Sequence, residues 1–160
     1  MRTGTARSRE PAQGADVARV YAEQADRLRR VAYLMTGRRE AAEEIVHDAF
    51  ARTYERWATI ENPGGYLRTT VVNLCLAWQR RAVLERERLP APPPAHEPPE
   101  LDEMWSLVQR LTPGLRVVLV LRFYEDLPDD EIARLVGCAP ATVRTRVHRG
   151  LAKLREEMTP

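Results

Sequence analysis

Residues 129–155 read DDEIARLVGCAPATVRTRVHRGLAKLR. The segment opens on three acids, Asp129, Asp130 and Glu131, and from Ala139 onward carries five Lys/Arg and no Asp or Glu. Ile132, Leu135 and Val136 form a short apolar face, and Ala133 is small enough for a close helix crossing. Gly137 supplies a residue that tolerates positive φ, the usual way to stop a helix and turn the chain. Pro140 suits the first turn of a second helix. Within that helix Val143, Val147, Leu151 and Leu154 fall inside ~80° of arc at ~100° per residue. Thr145 and Arg149 point away from that stripe, with Thr142, Arg146 and His148 around them and Arg144 toward its edge.

A short helix, a glycine turn and a basic second helix make a helix-turn-helix. Its outward face suits double-stranded DNA. Guanidinium forks reach guanine edges or phosphates, threonine reaches base edges or a thymine methyl, and missing carboxylates avoid phosphate repulsion. The competing reading is a merely solvated basic face. Two features oppose the helix locally: Ala139 stands where a capping Ser or Thr is expected, an absence that costs ~1 kcal/mol, and Gly150 costs up to ~1 kcal/mol.

Outward from this segment, LDEMWSLVQRL is amphipathic through Leu101, Met104, Trp105, Val108 and Leu111, and Pro113 opens a helix carrying Leu115, Val118 and Leu119. Six of the twelve prolines lie in PAPPPAHEPP at 90–99, which favours extended, stiff backbone. The chain therefore divides into a disordered tail over 1–15, a helical module over 16–84, a Pro-rich linker over 85–99 and a helix-turn-helix module over 100–158. In the first module, Val17, Val20, Tyr21, Leu28, Val31 and Met35 recur at helical steps before Gly37. Ala42, Ile45, Val46, Ala49, Phe50, Thr53 and Trp57 share one face of a second helix. A loop, Ala58 to Gly65, precedes a third helix aligned through Leu67, Val71, Leu74 and Trp78. No stretch alternates with period two, so the fold class is all-α: two small helical domains and a linker.

Composition narrows the function. With 25 basic and 23 acidic side chains, net charge is +2, and a nucleic-acid reading rests on local clustering. Cys75 and Cys138 form no disulfide framework, which fits a reducing compartment. His47, His96 and His148 have no metal-ligand spacing with them, and no apolar run nears the ~20 residues of a membrane span. Glu43, Glu44 and Asp48 lack a nucleophile, phosphate loop or metal site, so no catalysis, metal or cofactor is expected and the chain reads as a cytoplasmic non-enzyme.

The stretch from Leu111 to Arg155 resembles region 4 of bacterial RNA polymerase sigma factors. AAEEIVHDAFARTYERW followed by YLRTTVVNLCLAWQRR resembles region 2, and the two in this order match the small extracytoplasmic-function (ECF) group over about 17–157. The resemblance implies a promoter-specificity subunit that directs polymerase to −35 and −10 elements and assists melting. It places Arg144, Thr145, Arg146, His148 and Arg149 on the −35 duplex. It places Asn73, Arg68, Arg80, Arg81 and Asn62 on the unpaired −10 strand. Glu43, Glu44, His47 and Asp48 match a docking face for the clamp helices of core RNA polymerase, and the second module would meet its flap. Promoter DNA and an anti-sigma factor are the other partners implied; no membrane is. Departures fall at Ala77, His47 and Tyr66, where the family often has Asp, Gln and Trp. Another is Pro128, where it has a capping Ser, so the cap is expected to shift to Asp129. The rival readings are a stand-alone helix-turn-helix regulator and a sigma-sequestering decoy.

Overall fold

A computed structural model describes residues 10–86 and 103–159, with side chains from residue 13 and to residue 85 in the first stretch. Among the described residues every regular element is helical. Helix α1 (Glu10–Thr36), α2 (Arg39–Glu55), a single 3₁₀ turn (Trp57–Thr59) and α3 (Pro63–Arg86) build the first module. Helices α4 (Glu103–Val108), α5 (Pro113–Leu119), a π-helical turn (Val120–Tyr124), α6 (Asp129–Val136) and α7 (Pro140–Met158) build the second. The all-α expectation holds. Residues 87–102, most of the proline-rich stretch, and 1–9 lie outside the described residues.

Two boundaries differ from expectation. Helix α1 starts at Glu10, inside the stretch expected to be disordered, because PAQGADVA adds helix formers and Pro11 sits in the first turn, where a missing N–H is harmless. Helix α3 starts at Pro63, so Pro63, Gly64 and Gly65 form its first turn and not loop. Asn62 makes this work. Its side-chain Oδ1 accepts from the Gly65 amide at 3.1 Å, and its carbonyl accepts from the Tyr66 amide at 3.0 Å. An Asn cap followed by Pro satisfies a helix start that two glycines would otherwise weaken. A Cβ at Gly65 would lie 2.8 Å from the Asn62 amide, so the glycine leaves room for the cap.

In the first module α1, α2 and α3 pack on one another around Leu28, Val31, Leu34, Met35, Val46, Ala49, Leu67, Val71 and Cys75, all essentially water-free. Burial pushes the Cys75 thiol up to about 12, so it stays protonated as core packing. Trp78 is only half-buried at the rim of this core, and Trp57, in the 3₁₀ turn, is also half-buried; neither is a central core residue. Gly37 at φ 70° ends α1, as its position suggests.

The helix-turn-helix forms as read. Gly137 takes φ 78°, and its amide donates to the Ala133 carbonyl at 2.9 Å. Ile132, Ala133, Val143 and Leu154 are buried, with Val147 and Leu151 packed against them. Ala139 precedes α7 with no side-chain cap. The expected shift of the α6 cap to Asp129 does not occur. Pro128 holds the cap position without a side-chain bond, and Asp129 lies in the first turn, where its carboxylate pairs with Arg122 at 2.9 Å. That guanidinium competes for the oxygen a cap would use.

Gly150, expected only to weaken α7, is a packing residue. It is buried, and a Cβ there would meet Leu119 Cδ1 at 2.9 Å, where α7 crosses α5. Leu119 is itself 1% exposed and has nowhere to swing. Gly150→Val is expected to lower stability by about 2 kcal/mol, since overpacking outweighs the gain in helix propensity. Urea unfolding checks it; a midpoint at or above wild type would mean that Leu119 moves aside freely.

Candidate nucleic-acid interface

The outward side of α7 carries Arg144, Thr145, His148 and Arg149, all exposed, with Arg146 half-buried. The seam of Val143, Val147, Leu151 and Leu154 anchors the opposite side, so helical geometry alone projects these groups together. Thr145 Oγ1 donates back to the Ala141 carbonyl at 3.0 Å, which holds its hydroxyl on the helix. Arg144 lies 4.0 Å from Asp129, a loose pair in which the arginine is largely exposed and the carboxylate mostly covered. The same Asp129 is bonded to Arg122, so the acidic start of α6 braces the π-helical turn. The acid-then-base split of the opening segment thus puts carboxylates at the start of α6, where they favour the helix N-terminus, and cations on the outer face of α7.

The second group of candidates spreads along α3. Asn73 and Arg80 are seven positions apart and project within ~20° of each other, while Arg81 is turned ~100° further. All three are exposed. Arg68 and Asn73 line one cleft of about 320 Å³ with Thr69 and Val72, and its opposite wall is Leu127, Glu131, Arg134 and Leu135 of the second module. Asn62 is not in that cleft; it caps α3 some 16 Å below Asn73 along the axis at ~1.5 Å per residue. Arg68 also reaches the Glu125 carboxylate at 3.9 Å.

On α2, Glu43, Glu44 and His47 are exposed, and Asp48 pairs with Arg52 at 3.1 Å. These four are brought onto one solvent side of the helix. Tyr54, not singled out by sequence reading, continues it. It lies seven positions beyond His47 and is 54% exposed, an aromatic on an otherwise charged face. The heptad spacing from His47 was the available signal.

Three residues of structural weight escaped the sequence reading. Glu125 is a buried carboxylate that Arg27 meets at 3.1 Å across 98 positions of sequence. Gln109 donates to the Leu34 carbonyl at 2.7 Å, and Arg116 is buried with its guanidinium on the Gln109 and Leu111 carbonyls at 2.9 and 3.0 Å. Glu125 and Gln109 find their partners in a distant segment, and Arg116 bonds carbonyls just before its own helix while approaching that of Met35 at 3.5 Å; periodicity carries no trace of such pairings.

A helix-turn-helix with a basic outer face, joined to a three-helix body with one polar, solvent-facing side, defines a two-part helical protein of the DNA-binding type. Two family models match these parts: Sigma-70 region 2 over residues 20–84 and Sigma-70, region 4 over residues 101–154. The RNA polymerase sigma-E factor of Streptomyces coelicolor is 35% identical over 126 residues, 73% of this chain and 71% of that one. The ECF RNA polymerase sigma factor SigE of Mycolicibacterium smegmatis is 31% identical over 152 residues, 84% of this chain and 58% of that one. Among solved structures, the sigma factor RpoE of Bartonella quintana, crystallised with the anti-sigma factor NepR, superposes with a TM-score of 0.67 at 21% identity. That match covers 89% of this chain and 94% of the other, and is a likeness of fold. The chain belongs to the sigma-70 family of RNA polymerase sigma factors, in its ECF group. It is a promoter-specificity subunit.

Asn62→Ala is expected to destabilise the chain by about 1 kcal/mol through loss of the cap, while Asn62→Asp retains most of it. Amide exchange at Gly65 reports the cap directly. Unchanged protection in the Ala variant would mean that water replaces the side chain without loss.

Proposed function

We propose that α7 reads the −35 element as duplex DNA and that α3 engages the −10 element as an unpaired strand. The observation that supports this best is the two-sidedness of α7: an aliphatic seam locked by Gly150 on one side, and four exposed groups suited to DNA on the other. Arg144, Arg146 and Arg149 supply guanidinium forks, while Thr145 and His148 supply shorter donors. On α3, Asn73 offers an amide that pairs with the edge of an unstacked base, and Arg68, Arg80 and Arg81 hold phosphates. Asn62 shapes the start of α3 and so sets the loop that borders the captured base. Melting then needs no hydrolysis, because base capture offsets lost pairing of a few kcal/mol.

Glu43, Glu44, His47 and Asp48, with Tyr54 as an apolar anchor, form the face for the polymerase clamp helices, and the second module meets the flap. An anti-sigma factor is a further partner, in keeping with the complex in which the Bartonella quintana relative was crystallised. The subunit works in the cytoplasm and carries no catalysis of its own. No described helix is long and apolar enough to cross a membrane.

Run-off transcription with purified chain and core polymerase tests the whole reading. New start sites on promoter fragments are expected; duplex binding without core affinity would instead mean a stand-alone regulator, and core binding without new starts a decoy. Arg149→Ala should weaken −35 selection by roughly 1–3 kcal/mol and leave core binding intact. Equal loss of both would show that Arg149 holds the fold. For Asn73→Ala the expected defect is in open-complex formation on duplex promoters, with pre-melted templates transcribed normally; permanganate footprints identical to wild type would remove Asn73 from base capture.

A further inference from the structure

The two modules touch in this structure. Helix α1 packs on α5 and the π-helical turn, and α3 packs on α6. The seam between the modules leaves a cleft of about 320 Å³ between α3 and α6, and its lining is chemically uneven. Val72 and Leu127 are buried and Leu135 is half-buried, so one part of the wall is aliphatic. Around it stand Arg68, Thr69 and Asn73 of α3, and Glu131 and Arg134 of α6. These polar groups are mostly idle. Thr69, Asn73, Glu131 and Arg134 make no side-chain hydrogen bond or ion pair among the described residues. Glu131 and Arg134 are three positions apart on one helix, a spacing at which opposite charges commonly pair, yet they stay separate. Arg68 lies 3.9 Å from Glu125, too far for a hydrogen bond, and Glu125 is bonded at 3.1 Å to Arg27 instead. The donors of Arg68 therefore remain available.

Few ligands match an aliphatic wall ringed by two guanidiniums, a carboxylate, an amide and a hydroxyl. The volume is at the lower end of the ~300–1,000 Å³ usual for small-molecule sites. It is roughly 7 Å on a side, narrower than the ~10 Å of a helix with its side chains, so a partner's helix does not fit while the walls stand. A metal cation is opposed by the two arginines. A purely apolar ligand strands the carboxylate and the guanidiniums away from water. Inorganic phosphate uses the arginines and leaves the aliphatic wall and Asn73 without a role. A nucleotide uses them all. We propose that this cleft is a site for a free guanine nucleotide, with its phosphate on Arg68 and Arg134, its base against Val72, Leu127 and Leu135, and the edge of the base on Asn73 and Glu131. Guanidinium forks match phosphate oxygens. A carboxylate only accepts, so Glu131 favours a base that presents two neighbouring N–H groups on its edge. Guanine does so with its ring N–H and its amino group. Adenine presents an amino group beside an acceptor, and uracil one N–H between two carbonyls. The site differs in kind from strand capture, because it needs α6 as well as α3. Where α3 also engages an unpaired strand, the nucleotide occupies the same Arg68 and Asn73, and the two exclude each other.

Calorimetric titration of the full chain with guanosine monophosphate (GMP), AMP, UMP and inorganic phosphate reads the site, and amide NMR shifts locate it. GMP is expected to bind one per chain, roughly tenfold more tightly than AMP or UMP, with phosphate weaker still. Shifts should gather at Thr69, Asn73, Glu131 and Leu135 and spare Thr145 and Arg149. Arg134→Ala should weaken GMP roughly tenfold through loss of a charge-assisted bond. Arg30→Ala, which removes an exposed cation of α1 outside the cleft, should leave GMP binding unchanged. Glu131→Gln should bring the ratio of GMP to AMP affinity near one; the ratio is the readout because a lost negative charge helps every anion alike. Should a variant lose helicity by circular dichroism, the selectivity and shift pattern of the wild type still decide. Equal affinity for GMP and phosphate, or shifts confined to the basic face of α7, shows charge attraction without a site and overturns the nucleotide reading. Absence of binding at millimolar GMP does the same. No promoter DNA enters these measurements, so the cleft can fail while α3 keeps its place in strand capture, which run-off transcription decides separately.

Discussion

The C-terminal turn of α1 has carbonyls that no further turn of helix can satisfy, and the way they are satisfied organises the molecule. A helix leaves its last carbonyls without intrahelical partners. Here the Gly37 amide takes the Tyr33 carbonyl, Gln109 donates to that of Leu34, and Gln79 donates to that of Met35 at 2.7 Å, with Arg116 approaching the latter at 3.5 Å. One donor group comes from α3 and two from the segment around α4 and α5. The end of a single helix therefore ties the three-helix body to itself and to the second module. Because α1 is buried on Val31, Ala32, Leu34 and Met35, these carbonyls cannot turn to water, and the donors are obligatory. The absence of a side chain at Gly37, where a Cβ would lie 3.0 Å from Gln109 Oε1, is what lets Gln109 in.

That hub also explains why the seam is polar at its edge and apolar at its centre. One contiguous set of buried side chains runs from Leu28 and Val71 to Val118 and Ile132. Apolar burial supplies most of the attraction and no geometry. Direction comes from the hydrogen bonds at Leu34 and Met35 and from the Glu125 ion pairs. A seam made of leucine alone would hold the two modules together without fixing their direction.

Much of this was legible from residue order. The glycine stops at 37 and 137, the proline start of α7 and its four-residue seam follow from local steric and periodic rules, and the structure places them as read. The site candidates on α7 were legible for the same reason, since a helix that buries Val143 and Leu154 must turn Arg149 outward. The start of α3 was not. Asn-Pro-Gly-Gly scores as loop residue by residue, and only the joint action of an Asn cap, a Pro in the first turn and a Gly that makes room for the cap converts it to helix. Gly150 was read with the wrong sign because its reason lies in Leu119, thirty-one positions away. Glu125 drew no reading from the sequence, and nothing nearby in sequence announces Arg27 or Arg68.

The pattern in those misses is physical. Rules of period and propensity describe what a residue does to its own helix, and they succeed where the helix decides. Glu125, Gln109, Arg116 and Gly150 are decided by a neighbour helix, and each sits where two elements come closest. This division has a consequence for how the chain can vary. The outward basic face of α7 is encoded locally and can diverge residue by residue without disturbing the core. The direction of the seam between modules depends on a few long-range polar contacts, among them Arg27 with Glu125 and Gln109 with the Leu34 carbonyl, which no single helix encodes.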